Sequence, residues 1–199
     1  YGTVAIGVTA LGALTSGAGN VAVGYQSLDA LTSSGQNTAL GYGTLGTLVD
    51  GDQNTAIGYN AMTSGTHTSF NFNTVVGANA GDAFTSVAIE HVTVLGANAA
   101  GGALTDGANG TIAIGSSALA ALTSGGRNTA IGFEALSTAT ALTHNIAIGY
   151  NALKDSSATN SHRNIAIGSY SMDGVGSNVA ADNVTVGYSN LGALTTGDN

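Results

Sequence analysis

The sequence predicts an all-β fold, a parallel β-solenoid or β-roll of eleven short coils, on three observations. The first is a recurring pentapeptide, seen in pure form as Asn54-Thr55-Ala56-Ile57-Gly58. The second is its spacing. The final glycine falls at Gly7, Gly24, Gly41, Gly58, Gly77, Gly96, Gly115, Gly132, Gly149, Gly168 and Gly187, always 17 or 19 residues apart. A fixed period near 20 residues marks an array in which each repeat buries its apolar face only by stacking on its neighbours. The third is alternation within the pentapeptide, with branched aliphatic or Thr residues flanking a small one, which is the two-residue period of a strand.

Numbering from the glycine, the preceding residue is aliphatic in every copy (Ile6, Val23, Leu40, Ile57, Val76, Leu95, Ile114, Ile131, Ile148, Ile167 and Val186). Position −3 is β-branched throughout, from Val4 to Val184, as a packed pleated surface favours. These two share one face, and position −2, usually alanine, takes the other. Two arrangements follow. Either the aliphatics are inward, Ile131 among them, and the alanine row lets a second chain approach. Or alanine fills a narrow coil and the aliphatics face outward.

Beyond the glycine, position +4 is mostly Leu or Met (Leu28, Leu45, Met62, Leu119, Leu136, Leu153) and position +7 is leucine in the best copies (Leu14, Leu31, Leu48, Leu122, Leu194). Both are expected to turn inward and close the core. Stretches such as Leu122-Thr123-Ser124-Gly125-Gly126 read as turns, where the two extra residues of the longer coils are absorbed. Ser117–Leu122 suits either a turn or a short helical segment. The copies between about residues 66 and 110 depart most from the pattern, with Phe70, Phe72 and Phe84 in place of Tyr and Leu.

Position −4 is asparagine in eight copies: Asn20, Asn37, Asn54, Asn73, Asn128, Asn145, Asn164 and Asn183. Coils stack about 4.8 Å apart, so these side chains are placed to form a hydrogen-bonded ladder. The glycine supplies positive φ or close backbone approach at the corner. Position +1 is often aromatic: Tyr25, Tyr42, Tyr59, Phe133, Tyr150 and Tyr188. Eleven coils at this spacing make a rod on the order of 50 Å long, one repeat domain over residues 1–199.

The motif Asn54-Thr55-Ala56-Ile57-Gly58-Tyr59-Asn60-Ala61-Met62, with its equivalents at Asn128–Leu136 and Asn145–Leu153, resembles the head repeats of trimeric autotransporter adhesins. It is also similar to the Asn-Thr-Ala-Ile-Gly-Tyr repeats of bacterial surface fibres and phage tail fibres. The resemblance spans the chain, although the coil here is longer than the adhesin head repeat. It implies a homotrimer on an extracellular, cell-surface or virion fibre, serving as a shaft or head segment with an adhesive role toward a glycan or protein receptor.

Composition narrows the alternatives. Charged residues are 7% of the chain, against about 25% in an average globular protein. A hydrophobic content of 43% nevertheless argues against disorder. No apolar run reaches the roughly 18 residues of a membrane helix, so no membrane insertion is expected. A net charge of −8 argues against nucleic-acid binding. Absence of cysteine removes thiol chemistry and Cys-based metal sites. Tyr1 opens within a repeat, as expected of a segment of something longer. The residues before Gly7 and after Gly187 together complete one further 19-residue period, so end-to-end stacking into a filament is a second expectation.

Neither catalysis, a cofactor nor a metal is expected. Glu90 and His91 are adjacent, but neighbours on a strand point to opposite faces. Asp50-Gly51-Asp52 imitates the start of a calcium loop, but Ala61 stands where the bidentate Glu belongs. The candidate contact stripe is position −5, where Arg127, His144 and Arg163 follow one another and hold two of the three basic residues. It reads either as a contact for an anionic glycan or partner, or as a solvated turn. Ice binding is a separate expectation from the aligned Thr38, Thr55, Thr74 and Thr93, weakened by Val and Ile elsewhere in a column expected to be buried.

Overall fold

The computed structural model describes residues 2–63, 70–85, 88–155, 161–174 and 181–192. Each coil contributes one three-residue strand: β1 (Val4–Ile6), β2 (Val21–Val23), β3 (Thr38–Leu40), β4 (Thr55–Ile57), β5 (Thr74–Val76), β6 (Thr93–Leu95), β7 (Ile112–Ile114), β8 (Thr129–Ile131), β9 (Ile146–Ile148), β10 (Ile165–Ile167) and β11 (Val184–Val186). They form one parallel sheet in sequence order, each strand in register with the next, as in Ala39↔Ala56 and Ile114↔Ile131. This is a parallel β-solenoid.

Coil-to-coil hydrogen bonding extends beyond the strands. Gly24 N–H donates to Ile6 C=O at 2.8 Å, and Leu28 N–H donates in the other direction to Thr44 C=O at 3.1 Å. Among the described residues the rest of the coils is turns and irregular backbone, with one 3-10 turn at Asp106–Ala108. Ser117–Leu122 is a series of turns and not an α-helix.

The inward face of the strand is the alanine face. Ala22, Ala39, Ala56, Ala113, Ala130, Ala147 and Ala166 are fully buried. Ile131, expected as an inward aliphatic, is only half-buried and faces out with the rest of its column. The reason is the width of the coil. With 17 or 19 residues per turn the opposing walls lie close together, and Leu28, Leu31, Leu119 and Leu122 reach the strand from the far side. Only small residues leave room for them at native packing density. Each fully buried leucine contributes about 2 kcal/mol through removal of its side chain from water.

Positions +2 and +4 are left-handed in every coil, as at Gln26 (φ 54°) and Leu28 (φ 52°). This breaks the strand's alternation, so that positions +3 and +4 both point inward. Leucine is unusual in this conformation, which costs about 1–2 kcal/mol per residue; burial of its side chain offsets the cost.

The divergent middle coils are compensated. Gly81 stands where Leu is usual, and a Cβ there would meet Phe84 Cζ at 2.7 Å, so the Phe84 ring fills the missing volume. Phe84 packs edge-to-face on Phe70 with ring centroids 6.1 Å apart, and Val75 and Val94 replace alanine opposite them.

The repeat glycine meets two demands. Its φ is +135° at Gly58 and +137° at Gly132. A Cβ at Gly132 would also meet Gly149 O at 2.3 Å, so the backbones touch at this corner in successive coils.

Candidate functional site

Position −4 organises the interior edge of the site. Asn54 donates its backbone N–H and its side-chain amide to Asn37 Oδ1, both at 3.0 Å, and its amide also reaches Phe70 C=O at 2.7 Å. The pattern repeats from Asn20 to Asn73 and from Asn128 to Asn183, all buried. Val92 and Thr111 interrupt it, and Thr111 Oγ1 is buried without a partner.

A second polar ladder, running the other way, was missed in the sequence. At position −6, Asp52 Oδ1 accepts from Gly35 N–H at 2.7 Å, Asn71 Oδ1 from Asp52 N–H at 2.9 Å, and Asn109 Oδ1 from Glu90 N–H at 2.9 Å. Its signal was the run of side-chain acceptors Asp52, Asn71, Glu90 and Asn109 in one column. Asp50 and Asp52 turn to different partners, Asp50 Oδ1 accepting from the Ser33 hydroxyl at 2.9 Å. Among the described residues no cluster of His, Asp and Glu is arranged to hold a metal ion.

Between these two ladders, position −5 is left-handed in every coil, as at His91 (φ 58°), Arg127 (φ 59°), His144 (φ 61°) and Arg163 (φ 57°). This conformation carries the side chains to the exposed surface. His91 lies flat on Phe72, with ring centroids 5.1 Å apart and planes 4° from parallel. Arg127 Nη1 is 3.4 Å from His144 Nε2. Arg163 holds its place in the column and is engaged by a carboxylate of the next coil. Its Nε and Nη2 donate to Asp182 Oδ1 and Oδ2 at 2.6 and 2.7 Å, and the guanidinium holds that carboxyl below the usual range. His91, Asn109, Gly110, Gly126, Arg127 and His144 line an open recess of about 440 Å³. Glu90 is not paired with His91; its carboxylate accepts from Asn71 Nδ2 at 3.1 Å.

The strand face offers a different surface. Leu40 (46% exposed), Leu95 (48%) and Ile167 (37%) belong to the outward aliphatic column. Beside it Tyr25, Tyr42 and Tyr59 stack with centroids 5.0 and 5.4 Å apart, and Phe133 stacks on Tyr150 at 5.5 Å. The threonines of position −3 are also outward, with Thr74 and Thr93 exposed, which corrects the expectation that this column is buried. A second recess of about 430 Å³ lies over Gly43 and Gly46, between Gln26 and Asp29 on one side and Asn60 on the other.

These features define the class: a parallel β-solenoid repeat protein whose surface and edges carry ladders of side chains repeated at the coil spacing. No family model matches the chain, and no curated protein or solved structure shows significant similarity to it.

Proposed function

We propose that this protein is a non-enzymatic structural and adhesive element, a shaft or head segment of an extracellular, cell-surface or virion fibre, assembled as a homotrimer through its strand faces. The observation that carries this is the outward column, aliphatic in all eleven coils and flanked on either side of the middle coils by the stacked Tyr25, Tyr42 and Tyr59 and by Phe133 on Tyr150. A continuous exposed apolar strip marks an interaction surface. Its period is that of the chain itself, so a second copy in register matches it along its whole length, as closed symmetric assemblies require. The number three comes from the adhesin-head resemblance.

The experiment is the solution mass by light scattering after size exclusion. Three chains, reduced to one by Ile131→Asp with Leu95→Asp, are expected. A monomer at all concentrations would remove the trimer. Receptor contact falls to the exposed edge columns, and a glycan or protein array probed with the assembled protein tests it.

The outward threonines favour one further reading, ice binding. The face carries a run of four threonines, Thr38, Thr55, Thr74 and Thr93, in a column otherwise mostly Val and Ile, beside an aliphatic column. Thermal hysteresis in a monomeric protein would support this reading, and its absence would end it.

A further inference from the structure

The position −5 column carries a flat terminal group in every coil from Gln36 to Asp182 except one. Amide, phenyl, imidazole, guanidinium and carboxylate planes follow one another through Gln36, Gln53, Phe72, His91, Arg127, His144, Arg163 and Asp182. The interruption is Gly110, between His91 and Arg127. Phe72 covers one face of the His91 ring, so the other face is turned toward the coil of Gly110. His91 and Arg127 stand two coil spacings apart, about 9.6 Å, which is the room one stacked plane needs between them.

One glycine leaves the recess open, and a second is fixed by the backbone beside it. Gly110 would meet only Arg127 Cγ, at 3.8 Å, if it carried a Cβ. Gly126 lies beside it in the neighbouring column and is tightly constrained, since a Cβ there would meet Gly107 O and Asn109 O at 2.5 Å.

The recess also holds one of the few positive charges of an acidic chain. The chain carries a net charge of −8 with three Lys and Arg residues. Lys154 pairs with Glu134 at 2.5 Å and Arg163 pairs with Asp182 at 2.6 Å. Among the described residues, Arg127 is the one Lys or Arg without a carboxylate partner. Asn109 Oδ1 is occupied by Glu90 N–H, which leaves the amide N–H groups of Asn109 as donors at the recess.

We propose that this recess binds a small planar anion, an aromatic ring carrying a carboxylate. The ring lies between the His91 imidazole and the Arg127 guanidinium, which stacks on aromatic faces as readily as it pairs with carboxylates. The carboxylate, in the plane of the ring, meets the Asn109 amide and is drawn by the charge of Arg127, whose Nη1 lies against His144 on its far side. The bound ring completes the ladder that Gly110 interrupts. This inference rests on the fold and not on the fibre reading, and it holds for a monomer or a trimer.

The test uses benzoate, cyclohexanecarboxylate and inorganic phosphate as probes, read by the imidazole proton resonances of His91 and His144. Benzoate is expected to shift both resonances saturably. Cyclohexanecarboxylate has the same charge and a similar size without planarity, and both it and phosphate are expected to bind at least about tenfold more weakly. Gly110→Gln places in the slot a residue that Gln36 and Gln53 already carry in this column at φ 61°, so the fold tolerates it. It should abolish the benzoate shifts with an unchanged urea midpoint. Arg127→Gln, at an exposed position, should abolish them as well. Absence of a saturable benzoate shift, equal binding of cyclohexanecarboxylate or phosphate, or binding that survives in either variant would each overturn the proposal.

Discussion

Asn37 Oδ1 accepts two hydrogen bonds from Asn54, one from the backbone N–H and one from the side-chain amide, both 3.0 Å long and both buried. Each asparagine thus ties the backbone of one coil to the next, and its amide closes the turn of the following coil through Phe70 C=O at 2.7 Å. Asn54→Ala removes these bonds and deprives Asn73 N–H of its acceptor. A loss of about 3 kcal/mol is expected, because buried polar groups then lose their partners. The reverse substitution is informative at Thr111, whose Oγ1 is buried without a partner. Thr111→Asn supplies the missing rung and should add about 1 kcal/mol. Urea midpoints at constant m-value measure both.

Adjacent residues on β8 separate the two faces of the strand. Ala130 is fully buried and Ile131 half-buried. Ala130→Asp should cost at least about 4 kcal/mol, because it buries an unpaired charge in a full interior. Ile131→Asp should change the stability of a single chain by no more than about 1 kcal/mol. Equal losses in the two variants would show that both faces are packed within the monomer.

Glycines in different columns are required to different degrees. At Gly132 a Cβ meets the carbonyl oxygen of Gly149 at 2.3 Å, and φ is +137°. Gly132→Ala should therefore cost about 3–5 kcal/mol, from backbone strain and displacement of the neighbouring coil. Gly110→Ala meets nothing closer than 3.8 Å and takes a conformation that His91 and Arg127 already adopt. Its melting temperature should stay close to that of the parent chain.

Asp29 gives a pH signature. Burial beside the Gly43 recess raises its carboxyl above the usual range, against the opposing effect of hydrogen bonds from its own and Ala30 backbone N–H groups. The folded chain binds this proton more tightly than the unfolded chain, so the ionised side chain lowers stability at neutral pH. Asp29→Asn is expected to be more stable than the parent at pH 7. The advantage should shrink as pH falls through the raised folded-state range and vanish below the ordinary carboxyl range, where Asp29 is protonated in both states. Denaturation midpoints across that interval check the sign.

The period of Gly7 through Gly187, the alternation around each strand and the leucines at Leu28, Leu31 and Leu119 were enough to determine the parallel solenoid, because stacking is the only way such repeats bury their apolar residues. The Asn column was legible for the same reason. Tertiary structure alone decided which strand face is inward, since alternation is symmetric and only the width of the closed coil selects Ala130 over Ile131. It also decided the fate of the basic stripe. A column in the sequence gives the order of Arg127, His144 and Arg163 but not their partners. Coil stacking brought Asp182 against Arg163 and left His91 and Arg127 lining one recess with Gly110 between them in the column.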